Sequence, residues 1–142
     1  MKILKIKQLS ATAVLGCALA MALLPQQAAA QSMSPMRGKV QSFADSFALK
    51  VYPANPYNHR IRMEVRVYDQ DFRPVKGARV SPAEFTLGGR FARPVNVIVP
   101  FNGEPSRKVR VCTEAVPFPS QSTTTTTIKA QVCGKFMGER IN

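Results

Sequence analysis

The chain has 142 residues, enough for one ordinary domain and too few for two domains that each bury a core. Lys and Arg number 20 against 8 Asp and Glu, so the net charge is +12 at pH 7. That surplus predicts attraction to anionic partners and does not specify a fold. A single histidine and three cysteines do not assemble a zinc cluster or a Ser–His or Cys–His catalytic unit. We therefore predict a protein that is not an enzyme and needs no cofactor or metal.

Residues 1–30 have the pattern of a cleavable secretory signal peptide. Three lysines lie within the first seven residues, an apolar run covers 9–24, and Ala28 and Ala30 form an A-x-A cleavage site. The pattern predicts a periplasmic or secreted protein of a Gram-negative bacterium. One alternative is an uncleaved anchor, although the run is shorter than the roughly 20 residues that span a bilayer. Another is lipid attachment at Cys17, because residues 14–17 resemble a lipobox.

Cleavage after Ala30 would leave 112 residues with 17 Lys and Arg against 8 Asp and Glu, a net charge of +9. The charge favours an acidic protein, an anionic lipid or an acidic polysaccharide as partner, and export argues against nucleic acid. We interpret residues 31–45 as a flexible lead, 46–138 as the folded domain and 139–142 as a tail. These features leave the oligomeric state open.

Beyond the lead, short apolar runs with a period of two residues alternate with Pro, Gly and Asn about every ten residues. No window of helical length has a clean 3.6-residue period. The pattern predicts an all-β fold, a single seven-stranded immunoglobulin-like β-sandwich. Its strands are expected at residues 47–51, 61–67, 75–80, 85–87, 95–99, 109–111 and 128–132. His59, Asp69 and Asp71 are interpreted as turn residues between strands rather than as metal ligands.

Two cysteines, Cys112 and Cys133, follow the signal segment. An even count in an exported protein predicts a disulfide. Side-chain alternation supports the pairing, because it places both cysteines on the outer face of two strands expected to form a hairpin. Closure of a loop of about 20 residues would stabilise the domain by roughly 3 kcal/mol.

The same alternation predicts basic residues on the outer face around the disulfide. Such a face would bind anions, and the alternative is a solvated surface with dispersed charge. The residues predicted on this face are Lys108, Arg110, Lys129 and Lys135, while Arg60, Arg62 and Arg66 are expected on the opposite sheet.

The last strand is the one we predict to be an exposed edge. Exposed edges need protection, so a partner strand that pairs with this one by β-augmentation would satisfy its main chain. The side chains expected to meet that partner are Thr126, Ile128, Ala130 and Val132.

Three stretches together resemble the periplasmic pilus chaperones, the PapD-like superfamily. Residues 49–53 (LKVYP) are similar to the family's V-x-Y-P segment in its first strand, and residues 80–87 (VSPAEFTL) to its V-S-P-P-x-F-x-L segment. A turn at Gly88 and Gly89 and an alternating valine strand at 95–99 follow, as they do in that family. The resemblance implies the N-terminal immunoglobulin-like domain of a two-domain chaperone.

The resemblance also implies a basic pair that grips the terminal carboxylate of a subunit. Its arginine position falls at about Leu49 and its lysine at Lys129. Some members join their sixth and seventh strands by a disulfide, as Cys112 and Cys133 would. The function expected is a periplasmic assembly accessory that captures a protein partner through its edge strand and basic face. The alternatives are a self-associating envelope or appendage component and a binder of anionic lipid or polysaccharide, because one sandwich fold hosts many functions.

Overall fold

A computed structural model describes residues 32–116 and 131–141 of the chain. In these two segments every regular element is a β-strand, and none is a helix long and apolar enough to cross a membrane. The predicted signal segment, Cys17, Thr126, Ile128, Lys129 and Ala130 lie outside the described residues. The strands are β1 (Ser32–Ser34), β2 (Arg37–Ser42), β3 (Ser46–Ala54), β4 (Ile61–Tyr68), β5 (Arg79–Ser81), β6 (Glu84–Leu87), β7 (Val95–Pro100), β8 (Ser106–Val116) and β9 (Gln131–Arg140).

The strands form two sheets that pack face to face. One sheet has the order β1-β3-β7-β5 and the other has the order β2-β9-β8-β4-β6. The pairing is antiparallel except between β2 and β9, which run parallel. The all-β immunoglobulin-like sandwich predicted from the alternating runs is confirmed, with nine strands in place of the seven expected.

The core lies between the sheets and is built from the alternating apolar residues. On β4 every second residue from Ile61 to Val67 is buried, while the residues between them are partly or fully exposed. Phe47 on β3 is 1% exposed and its ring lies 5.2 Å from that of the buried Phe101. Gly138 on β9 makes room for Phe47, because a Cβ at Gly138 would overlap the Phe47 ring.

The segment predicted as a flexible lead contains two strands, so that interpretation is corrected for residues 32–42. β1 pairs with β3, and β2 pairs with β9. The sequence pattern is weak here because both are edge strands with few inward side chains. Met33 is the buried residue of β1, and Val40 is the half-buried apolar residue of β2.

Two other strand boundaries also differ from the predictions. The strand expected over 75–80 begins only at Arg79, because Gly77 adopts a turn with φ of 79° and Val75 instead bonds through its N–H to the carbonyl of Val67. β9 continues through Arg140, so two residues of the predicted tail belong to the sheet.

The chain changes sheets between β1 and β2, at residues 35 and 36. β1 lies beside the end of β3, at Tyr52 to Ala54, and β2 lies beside the end of β9, from Lys135 onward. The first half of β9 therefore pairs with no strand on the β2 side among the strands the structure describes. This position defines the candidate site.

Candidate partner-binding site

Among the strands that the structure describes, β9 forms an open edge over its first four residues. It pairs with β8 along its length, from Gln131 opposite Glu114 to Glu139 opposite Ser106. Its pairing with β2 covers only Lys135 to Arg140. The edge predicted for this strand therefore exists among the described residues at 131–134, whereas the segment from Lys135 onward is an interior position. We call residues 131–134 the open edge.

The main-chain groups of Cys133 point toward the open edge. Its Cα lies 4.0 Å from that of Cys112, the short spacing of a pair that exchanges no hydrogen bonds across an antiparallel ladder. Further along β9 the same phase holds, because Lys135 donates its N–H to the carbonyl of Met36 at 2.8 Å, on the β2 side. Arg140 donates its main-chain N–H to the carbonyl of Pro105, on the β8 side. The main-chain N–H and C=O groups of the odd-numbered β9 residues thus point toward the β2 side. Those of Gln131 and Cys133 therefore point outward along the open edge.

The disulfide predicted from the sequence is confirmed and lies beside the open edge. Cys112 and Cys133 are directly opposed on β8 and β9, and their sulfur atoms are bonded at 2.04 Å. Cys112 is 1% exposed. The bond fixes the open edge to the neighbouring strand and holds it in an extended conformation.

Basic side chains form a row across the five-stranded sheet, next to the open edge. The register aligns Arg37 on β2 with Lys135 on β9, and Lys135 with Arg110 on β8. Adjacent strands lie about 4.8 Å apart, so three cations from three strands lie side by side. Lys108 is two residues from Arg110 on the same face of β8. We call Arg37, Lys108, Arg110 and Lys135 the basic row.

The basic row surrounds a cavity of about 580 Å³ that is also lined by Gln70. The guanidinium of Arg110 lies 4.6 Å from the centre of the Phe72 ring, and its Nε is buried without a hydrogen-bond partner. A buried guanidinium N–H without an acceptor is costly, so an anion in this cavity would satisfy it.

Within the described part of the chain, the basic row differs from its surroundings because its members have no acidic partners. Three other cations of the five-stranded sheet form ion pairs on its strands: Lys39 with Glu139 at 2.7 Å, Arg62 with Glu84 at 2.5 Å and Arg66 with Glu64 at 2.6 Å. The hydrogen bond from Lys39 lowers the pKa of Glu139, and the bond to Glu64 raises the pKa of Arg66. No member of the basic row forms an ion pair with any residue in the described segments.

The structure brings together three of the residues predicted for a basic face, Lys108, Arg110 and Lys135, and their role in binding stays a prediction. Val132 faces inward and is half-buried. The placement of Arg62 and Arg66 on the opposite sheet is wrong, because β4 lies next to β8 in the same sheet. Sequence alternation assigns side chains to a face of a strand, but it does not assign strands to sheets.

Of the two positions implied by the family resemblance, Lys129 lies outside the described residues, and Leu49 is described. Leu49 lies on β3, in the other sheet, and packs against the core. The two cations that lie side by side at the end of the open edge are Arg37 and Lys135. Sequence reasoning missed Arg37 because it lies in the segment interpreted as a flexible lead.

The turn residues have local roles. Asp69 Oδ1 accepts hydrogen bonds from the N–H groups of Asp71 and Arg73 at 2.8 and 2.9 Å, and His59 stacks on Tyr57 at 5.2 Å. Within residues 32–116 and 131–141, no three His, Cys, Asp or Glu side chains are grouped closely enough to hold a metal ion.

No protein-family model and no curated protein matches the sequence. Solved structures match the fold. The E. coli chaperone DraB aligns with a TM-score of 0.65 and 13% identity over 78% of this chain and 55% of its own. The Salmonella enterica SafA pilin complex with the SafB chaperone aligns with a TM-score of 0.62 and 18% identity over 80% of this chain and 56% of the matched chain. WR4, a C. elegans MSP family member, aligns with a TM-score of 0.52 and 10% identity over 80% of this chain and all of its own.

These likenesses define the class of fold. The chain has the fold of the N-terminal immunoglobulin-like domain of PapD-like pilus chaperones, so the resemblance stated from the sequence is confirmed at the level of the fold. The chain spans just over half the length of the chaperones that it matches, between 55% and 58% for SfaE, DraB and SafB. The likeness to WR4 indicates that the fold is not restricted to pilus chaperones.

Proposed function

We propose that the protein is a non-enzymatic periplasmic assembly accessory that captures an extended segment of a protein partner on the open edge of β9. The observation that carries the proposal is the outward direction of the N–H and C=O groups of Gln131 and Cys133, beside a strand already fixed by the disulfide. An added strand would satisfy these groups by β-augmentation. The threonine-rich residues before Gln131 would lengthen the surface, with Thr126, Ile128, Ala130 and Val132 as contact positions.

The position of the basic row suggests how such a segment would end. A segment that pairs with 131–134 and runs parallel to β9 would be in line with β2, and its C-terminus would meet the start of β2. Arg37 and Lys135 lie there without an acidic partner among the described residues. A terminal carboxylate or an acidic side chain would form charge-assisted hydrogen bonds with them. We propose this pair in place of Leu49 and Lys129, with Lys108, Arg110 and Lys129 extending the basic face.

The fold neighbours support a protein partner. SafB was solved in complex with the SafA pilin, and CsuC with the tip subunit CsuE. The predicted signal segment and the periplasmic setting of SfaE, named as a periplasmic chaperone, support export to the same compartment.

The proposal is tested by removing a single N–H from the open edge. Gln131→Pro deletes the donor that faces the edge and leaves the ladder to β8 intact, because proline is tolerated where its nitrogen faces away from the neighbouring strand. Gln131→Ala is the matched control, since it removes the side chain and keeps the N–H. Tagged protein is cross-linked in the periplasm of its host, and captured polypeptides are identified by mass spectrometry. We expect Gln131→Pro to lose the polypeptides that Gln131→Ala retains.

Equal capture by the proline variant, with an unchanged disulfide and melting temperature, would refute edge pairing. A second copy of this chain as the captured polypeptide would instead favour the self-associating component, because two open edges can pair with each other. In that case the measured mass of the purified protein would rise with its concentration.

A further inference from the structure

Two loops at the end of the sandwich where β4 begins and β8 ends are joined into one rigid unit. Residues 55–60 connect β3 to β4, and residues 88–94 connect β6 to β7. Asn55 is 2% exposed, its Oδ1 accepts a bond from Tyr57, and its amide nitrogen donates to carbonyls of both loops. Those acceptors are the carbonyl oxygens of His59 at 2.8 Å, Gly88 at 2.9 Å and Leu87 at 3.2 Å.

The second loop turns tightly against the first. A Cβ on Gly89 would overlap the carbonyl of Asn58, so only glycine permits this approach. Arg90 has φ of 64°, a conformation that costs a non-glycine residue about 1 kcal/mol or more. Its N–H donates to Tyr57 at 2.9 Å and its Nε to Asn58 Oδ1 at 2.8 Å. Surrounding bonds hold a strained residue in place, which is typical of surfaces organised for binding.

The rigid unit presents an aromatic side chain to solvent. Phe91 is 68% exposed, although its main chain is fixed by bonds to Asn55 at 2.9 Å and Gly88 at 3.3 Å. Residues 90–94 are all exposed, so Phe91 projects from a tip and does not line a groove.

The tip is also strongly basic. Arg60, Arg90 and Arg93 are exposed on the two loops, and none of them forms an ion pair with a described residue. The sequence contains no Asp or Glu between positions 46 and 63 or between 85 and 103. Acidic residues lie instead in the turns at the opposite end, at Asp45, Asp69, Asp71 and Glu104.

We propose that this tip docks onto an anionic phospholipid bilayer. Phe91 would enter the boundary between headgroups and acyl chains, and Arg60, Arg90 and Arg93 would lie beside lipid phosphates. A protruding aromatic surrounded by cations fits a planar anionic surface, whereas an extended peptide needs a groove or a free strand edge. The proposal does not depend on the open edge of β9, which uses different residues.

The chain contains no tryptophan, so a single one reports on its own surroundings. Phe91→Trp is the probe and Phe43→Trp is the matched control. Phe43 is 78% exposed beside Asp45, before the start of β3, whereas Phe91 lies beyond its end. The nine residues of β3 separate the two by about 30 Å. The full chain is expressed, and the protein is purified from the periplasmic fraction and mixed with vesicles of phosphatidylcholine alone or with phosphatidylglycerol.

We expect the emission of Phe91→Trp to shift to shorter wavelength with phosphatidylglycerol vesicles only, and that of Phe43→Trp to stay unchanged. In co-sedimentation, Phe91→Ser should weaken vesicle binding about tenfold and Arg60→Gln about fivefold. Phe43→Ser should bind like the wild type.

No shift of Phe91→Trp, equal shifts of both tryptophans, or normal binding by Phe91→Ser would overturn the proposal. The same fluorescence measurement is repeated with dextran sulfate, which represents an acidic polysaccharide. A shift of Phe91→Trp with dextran sulfate and none with vesicles would also overturn it and assign the tip to acidic polysaccharide.

Discussion

At the scale of single residues, glycine on β9 decides how closely the two sheets approach. Gly138 faces the ring of Phe47, which is nearly inaccessible to solvent. The ring has no free space to move into because it also packs against Phe101. A methyl group at this position would therefore displace a core aromatic.

We expect Gly138→Ala to lower the free energy of unfolding by about 1–3 kcal/mol, the usual cost of overpacking a core. Urea denaturation of the purified protein measures it. Gly38→Ala is the matched control, because its Cβ would meet only the edge of the Phe136 ring at 3.1 Å. A loss for Gly138→Ala no larger than that of the control would contradict the packing described here.

At the scale of elements, β2 determines where the open edge of β9 ends. It covers β9 from Lys135 onward and brings Arg37 next to Lys135 at the point where the open edge ends. In the proposed binding mode, the open edge would supply main-chain hydrogen bonds, and the two cations would bind a negatively charged end of the captured segment.

Charge reversal of the pair should therefore weaken partner capture without affecting the fold. We expect Arg37→Glu with Lys135→Glu to reduce the yield of cross-linked partner at least about tenfold, because two charge-assisted bonds are lost and replaced by repulsion. Lys50→Glu is the control, since Lys50 is exposed on β3 in the other sheet. Equal yields from the double variant and this control would exclude the pair as the end of the binding surface.

At the scale of the whole molecule, the sequence predicts those strands and pairings that depend on the local alternation of inward and outward side chains. Val95, Val97 and Val99 are fully buried on a strand found where it was expected, and Cys112 opposes Cys133 as the alternation requires. These predictions succeed because a period of two residues is set by strand geometry alone.

The features missed from the sequence depend on contacts between distant strands. β2 has one inward apolar residue, Val40, so its hydrogen bonds to β9 leave little mark in the sequence. The common sheet of β4 and β8 follows from long-range pairing that alternation does not encode. Consequently the sequence located Lys135 on the predicted basic face but not its neighbour Arg37.

Amide hydrogen exchange resolved by residue, in the free protein and after partner capture, tests the central claim most directly. In the free protein, the amides of Gln131 and Cys133 should exchange fast, while those of Val132 and Gly134, which face β8, are protected. Partner capture should then protect Gln131 and Cys133. Strong protection of the Cys133 amide in the free monomer, or no gain on capture, would contradict the open edge as the binding site.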